Sequence, residues 1–217
     1  MSRAVLSCSA QPYLGVRAAG TERLRGEGGG LLLANHQSFL DPIVLGLPLE
    51  RSITFLARDS LFRLPGFGRY LRAMKTLPIA RDAPATAVMR AALAAIERGE
   101  LVGLFPEGTR TADGSLGPLK PGFVTLARRS GRPVYPVGIA GAFECLPRSR
   151  KLPIPGPGRV RVVFGAPIPP ERLNAAGGAA EIVVLVSERI AAAHAAAVRW
   201  RETGEEPSDV DATAEPG

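Results

Sequence analysis

The chain has 217 residues, 46% hydrophobic and 22% charged, which suits one globular domain with a core of its own and excludes a chain disordered throughout. Only Cys8 and Cys145 are present and the glycines follow no period, so a disulfide-stapled or collagen-like chain is excluded too. The net charge is +7, and a basic balance calls for an anionic partner: nucleic acid, an anionic lipid surface or a phosphorylated substrate.

Met1 to Tyr13 shows no cleavage pattern, and no signal peptide is expected. Val16 to Ala19 predicts a short first strand. Gly28-Gly29-Gly30 is a turn feeding Leu31 to Ala34, an apolar run of buried-strand type. Asp41-Pro42 is a preferred helix start, with Ile43 to Leu47 as its apolar body. Ser52 to Leu56 predicts a second strand. Residues 84–98 predict the clearest helix, with Pro84 near its start, an Ala-rich body and Gly99 as its stop. Leu101 to Phe105 is a further buried strand and Phe123 to Arg129 a helix. Val134 to Ile139 is a strand, Pro153 to Gly158 a loop, and Val160 to Phe164 an alternating strand. A final helix spans Ala179 to Arg201. This alternation predicts a single α/β domain with a mixed, largely parallel sheet flanked by helices, over residues 1–201. Residues 202–217 hold six acids and no base and predict a disordered acidic tail, which leaves +13 on the domain before it. No apolar run reaches the roughly eighteen residues of a spanning helix.

There are two histidines. His194 lies between alanines in the last helix, with no acid nearby, and reads as a packing residue. His36 stands just past the Leu31 to Ala34 strand, in Asn35-His36-Gln37-Ser38-Phe39-Leu40-Asp41-Pro42. In parallel α/β sheets, functional groups gather beyond the carboxyl ends of strands. On one continuous helix, five residues would separate His36 and Asp41 by about 140°. A turn between them would bring them together, and an aspartate on one imidazole nitrogen would leave the other as a proton acceptor. The plainer alternative is that Asp41 caps its helix and His36 packs on the strand end. After the next buried strand comes Phe105-Pro106-Glu107-Gly108-Thr109-Arg110. A glycine loop can aim backbone N–H groups at an anion, and Arg110 can grip a phosphate with two donors. A simple surface turn with a Glu–Arg pair fits the same six residues. Neither the cysteines nor the histidines have metal-ligand spacing, and no metal is expected.

Taken together, these two segments resemble the 1-acylglycerol-3-phosphate acyltransferase family, whose His-x4-Asp and Glu-Gly-Thr-Arg blocks they match. Leu61 to Gly68 followed by Leu77-Pro78-Ile79-Ala80-Arg81 is similar to the block whose arginine binds phosphate. Arg132 to Ile139, with Pro136, is similar to a fourth block near the acyl site. The resemblance covers residues 14–170. Relatives often have Gly where Lys75 stands and Lys where Arg58 stands; both departures keep or add positive charge. The resemblance implies transfer of a fatty acyl group from acyl-CoA or acyl carrier protein to a lysophospholipid hydroxyl, with no further cofactor. The expected acceptor is 1-acylglycerol-3-phosphate; other lyso-lipids such as lyso-ornithine lipid, or lipid binding without catalysis, are the alternatives. It makes His36 the base and Asp41 its orienting partner. It gives Arg81 and Arg110 the acceptor phosphate, with Glu107, Gly108 and Thr109 shaping that pocket.

Between Phe55 and Lys75, five bases stand against Asp59 alone, interleaved with aromatics. Phe62, Arg63, Phe67, Arg69, Tyr70 and Arg72 are therefore expected to face an anionic membrane surface, although a solvated basic face over core aromatics fits the pattern too. That makes the expected location cytoplasmic and peripheral, on the inner face of the cell membrane. Nucleic acid is not an expected partner, since no recognition helix, zinc spacing or stacking-aromatic strand occurs. A serine hydrolase would need Gly-x-Ser-x-Gly, and Asp113-Gly114-Ser115-Leu116-Gly117 lacks the first glycine.

Overall fold

The computed structural model describes residues 14–63, 67–73, 76–80, 83–150 and 159–208, and its core is a seven-stranded sheet. The strands are β1 (Arg17–Ala19), β2 (Gly30–Ala34), β3 (Ile53–Arg58), β4 (Leu77–Ile79), β5 (Leu101–Leu104), β6 (Val134–Ala140) and β7 (Arg161–Phe164). The helices are α1 (Asp41–Gly46), α2 (Phe67–Ala73), α3 (Ala85–Glu97), α4 (Gly122–Ser130), α5 (Ala142–Cys145), α6 (Pro170–Ala175) and α7 (Ala179–Thr203). The strand order is β1-β7-β6-β2-β5-β3-β4, parallel at every pairing except β6 with β7. This is the α/β, largely parallel architecture that the alternation predicts.

β2 is central and buried along its whole length because both faces are covered, which is why it reads as an unbroken apolar run. Leu32 and Ala34 meet Ile53, Phe55, Leu101 and Ile139 on one side. Leu31 and Leu33 meet Ala95, Leu126, Val134 and Val186 on the other, the side of α3, α4 and α7. In α7, Ile182, Val186, Ile190, Ala193, Ala197 and Trp200 recur every three or four residues and form its buried stripe. That stripe lies at backbone contact with β6: a Cβ on Gly138 would sit 2.2 Å from the Ala193 carbonyl carbon.

Three differences from the sequence reading have physical causes. β7 is buried at all four positions rather than alternating, because Val162 and Phe164 face one core layer while Val163 packs with Ala193 and Trp200. The last helix takes in Glu202 and Thr203 before Gly204 (φ +81°) ends it, and Glu206 pairs with Arg17 at 3.0 Å. β4, α2, α5 and α6 are too short for hydrophobic periodicity to announce them. The expected loop Pro153–Gly158 and residues 209–217 lie outside the described residues.

The order of the strands places the site. After β2 the chain crosses over to β3, then returns as β5 into the gap between them, and β6 flanks β2 on its other side. The carboxyl ends of β2 and β5 are thus neighbours where the winding reverses, the position at which open α/β sheets gather functional groups.

Candidate active site

His36 and Asp41 meet. The chain leaves β2 at Asn35, turns at Phe39 and Leu40, and enters α1 at Asp41, so the expected turn closes the 140° gap. His36 Nδ1 lies 2.7 Å from Asp41 Oδ2. The same oxygen accepts the backbone N–H of Gln37 at 2.7 Å and of Ser38 at 2.8 Å. Asp41 is fully buried, and burial pushes its carboxyl above the ordinary value while His36 and the two amides pull it down. A carboxylate accepts and does not donate, so Nδ1 carries a proton in this contact, and in the neutral ring the lone pair is then on Nε2. The imidazole is held flat as well: it stacks on Phe105 at 4.1 Å, and Phe105 stacks on Phe55 at 5.9 Å. Phe55 fits because position 103 is glycine, where a Cβ would lie 2.3 Å from the Phe55 ring.

Glu107 reaches the pair through the backbone. One carboxylate oxygen accepts His36 N–H at 2.7 Å, and the other accepts Gly117 N–H at 3.0 Å. Thr111 N–H donates to the His36 carbonyl at 2.8 Å, so both peptide groups of His36 are held by the loop after β5. Burial raises the Glu107 carboxyl, opposed by its two N–H donors. With each oxygen accepting one amide, Glu107 braces the histidine loop. Gly108 turns the chain at φ +69°, a conformation that side chains rarely adopt. Thr109 is exposed. Arg110 lies over the Phe39 ring at 3.6 Å, and its Nη1 is buried with no hydrogen-bond partner among the described residues.

The remaining site candidates spread out. Pro136 is buried in β6, and its Cγ would lie 3.2 Å from a Cβ on Gly165. It shares a sheet face with Val134, opposite Val137 and Ile139, so the fold does not turn it toward the layer that holds Phe105 and His36. Arg81 lies outside the described residues, as do the side chains of Phe67 and Tyr70. Arg63, Arg69 and Arg72 are exposed and Phe62 is half-buried. Ser115 donates to Asp113 in an exposed turn, and these bonds hold the Asp113 carboxyl down to about 2.

Several supports were not foreseen. Asn35 bridges β2 to β6 through the Ile139 amide (2.7 Å) and carbonyl (2.9 Å). Gln37 donates to the Gly114 carbonyl at 2.9 Å and lies 3.4 Å from His194 Nε2. Burial lowers the His194 pKa, so a neutral ring accepts from the Gln37 amide. The signal was present in the four polar residues Asn35 to Ser38 ending an apolar strand. Asn35, Gln37 and Ser38 are buried, and buried polar groups must find partners.

The family model described as Acyltransferase matches residues 15–140. A 1-acyl-sn-glycerol-3-phosphate acyltransferase of Brassica napus, BAT2, chloroplastic, is 36% identical over 138 residues, covering 63% of this chain and 40% of that protein. The 1-acyl-sn-glycerol-3-phosphate acyltransferase of Bacillus subtilis is 30% identical over 155 residues, covering 71% of this chain and 74% of that protein. The crystal structure of the 1-acyl-sn-glycerophosphate acyltransferase PlsC from Thermotoga maritima superposes with a TM-score of 0.73 at 26% identity, over 95% of this chain and 80% of that one. The chain thus spans less than half the length of the plant relative. The matched span begins just before β1 and ends with β6, taking in both loops that meet at His36, and on that ground the chain belongs to the acyltransferase family.

Proposed function

We propose that this chain transfers a fatty acyl group from an acyl-CoA or acyl carrier protein thioester to the free hydroxyl of 1-acylglycerol-3-phosphate, giving phosphatidic acid. The observation that carries this reading is the His36–Asp41 contact of 2.7 Å, made beside a guanidinium whose buried Nη1 has no hydrogen-bond partner among the described residues. His36 Nε2 takes the hydroxyl proton as the oxygen attacks the thioester carbonyl. The C–S bond of the tetrahedral intermediate then breaks, and the departing sulfur receives the proton from Nε2. Asp41 keeps the ring in the tautomer that allows both transfers, and such a base contributes about 10²–10⁴-fold. Arg110, with Arg81, binds the acceptor phosphate.

The same reading sets the chain against an anionic membrane on the cytoplasmic face, where its acceptor resides. Arg63, Arg69 and Arg72 are exposed on adjoining segments, and Phe62, Arg63 and Arg72 line one cavity of about 510 Å³. No helix among the described residues is long and apolar enough to cross a membrane.

The test is acyl transfer to a panel of lyso-acceptors, lyso-ornithine lipid included, with both donor types. The parent chain should turn over 1-acylglycerol-3-phosphate best, and His36→Ala should lose at least about 100-fold in kcat with its circular dichroism unchanged. A folded His36→Ala protein with near-parental turnover would overturn the mechanism.

A further inference from the structure

The loop after β6 is built against the histidine loop. Ser38 Oγ donates to the Leu146 carbonyl at 2.8 Å, and Phe143 N–H lies 3.4 Å from Gln37 Oε1. Leu146 N–H in turn donates to the Ala142 carbonyl at 3.1 Å, so α5 and its end are pinned beside the loop that joins His36 to Asp41. Two residues on, Arg148 is exposed in a turn that Arg150 N–H closes onto the Pro147 carbonyl at 3.0 Å. From the β5 side comes Arg110, seated on Phe39, which belongs to the same histidine loop. Arg110 on Phe39 and Arg148 two residues past Leu146 thus flank the loop that joins His36 to Asp41, and burial, with the charge of Arg148 added to it, holds the Arg110 pKa down. No ion pair to either arginine is formed among the described residues. The Asp41 charge that Arg110 feels belongs to a carboxylate that already holds His36. Two cations brought together without a counter-charge repel, and an anion between them reverses the sign of that term.

We propose that Arg148 is a second ligand for the acceptor's phosphate and that the Arg110–Arg148 pair selects a phosphomonoester headgroup over a phosphodiester. This rests on the acyl-transfer reading. A phosphomonoester carries about −1.5 to −2 charges near neutral pH and offers three terminal oxygens, enough for two planar guanidinium forks. A phosphodiester carries one charge and two free oxygens, which a single arginine satisfies.

The experiment compares kcat/KM for lysophosphatidic acid and for lysophosphatidylglycerol, with acyl-CoA as donor, in the parent, Arg148→Gln, Arg148→Lys and Arg150→Gln. Arg148→Gln should reduce the preference for the monoester about tenfold, through KM rather than kcat, as loss of a charge-assisted hydrogen bond implies. Arg148→Lys should recover part of it, and Arg150→Gln should keep the parental preference. An equal loss with both acceptors, or a rise in the KM for acyl-CoA alone, overturns the proposal. Thermal stabilisation by glycerol 3-phosphate reads the anion site apart from turnover. If the parent acylates no acceptor but is stabilised more than Arg148→Gln, the acyl-transfer reading fails while the site stands. Equal stabilisation of the two overturns the site.

Discussion

At Asp41 a single carboxylate oxygen accepts from His36 Nδ1 and from the amides of Gln37 and Ser38, so the residue that orients the ring also shapes the loop carrying it. Glu107 does a similar job from the β5 side, and Glu107→Gln tests it. The amide NH₂ of Gln must face one of the two N–H groups that the carboxylate now accepts, leaving a buried donor unpaired at a cost of about 1–3 kcal/mol. Denaturation should show that loss, and steady-state kinetics should show kcat falling more than the KM for the acceptor; a change in KM alone would return Glu107 to the phosphate pocket. The pH dependence has a definite sign. Burial raises the Glu107 carboxyl above 4.5, so the folded state holds this proton more tightly than the unfolded chain does. Its contribution is complete below 4.5 and is lost as pH rises through the raised value, so the parent's urea midpoint should fall relative to that of Glu107→Gln across that window. The His36–Asp41 spacing and the helix start at Asp41-Pro42 were legible in the sequence. The role of Glu107 was not, because its partners are backbone N–H groups, which no residue type advertises.

At the scale of elements, the ring stack links β3 and β5 to the site. Gly103 in β5 leaves room for Phe55 of β3, Phe55 supports Phe105, and Phe105 supports His36. Gly103→Ala drives a methyl group to within 2.3 Å of the Phe55 ring, so the strand or the stack must move. Overpacking of this kind costs about 1–3 kcal/mol, and here it should lower kcat as well as the melting temperature. Gly103→Ala combined with Phe55→Leu should recover part of both, and a strictly additive double variant would show that the two side chains are not coupled. The long strands and helices were legible because their apolar runs or stripes span several turns of pattern. β4, with three residues, and α2, with seven, were not, since their backbone conformation is set by neighbours rather than by period.

For the whole molecule, the charge of +13 before residue 202 divides between internal and external work. Arg51 donates to the carbonyls of Leu24 (3.0 Å), Gly28 (2.7 Å) and Gly99 (2.7 Å), and also to that of Gly26. Arg23 donates to the Phe164 carbonyl and Arg161 to those of Gly15 and Val160. Those bases hold loops together, whereas Arg63, Arg69 and Arg72 are exposed. Sedimentation with vesicles should show tighter binding to anionic than to neutral lipid, and Arg69→Glu with Arg72→Glu should weaken it at least about 30-fold, at about 1 kcal/mol per base. Equal binding to both vesicle types would remove the electrostatic part of the membrane reading. By itself, the sequence determined the α/β class, the burial of β2 and β5 and the candidacy of His36, Asp41 and Arg110, because apolar runs, caps and strand-end polar residues are local signals. Only the tertiary structure decided that β5 lies beside β2, that Glu107 holds His36 across 71 residues, and that Arg110 and the segment leading to Arg148 meet the same histidine loop. Those depend on strand order and loop closure, which bring together groups whose separation along the chain carries no trace of their meeting.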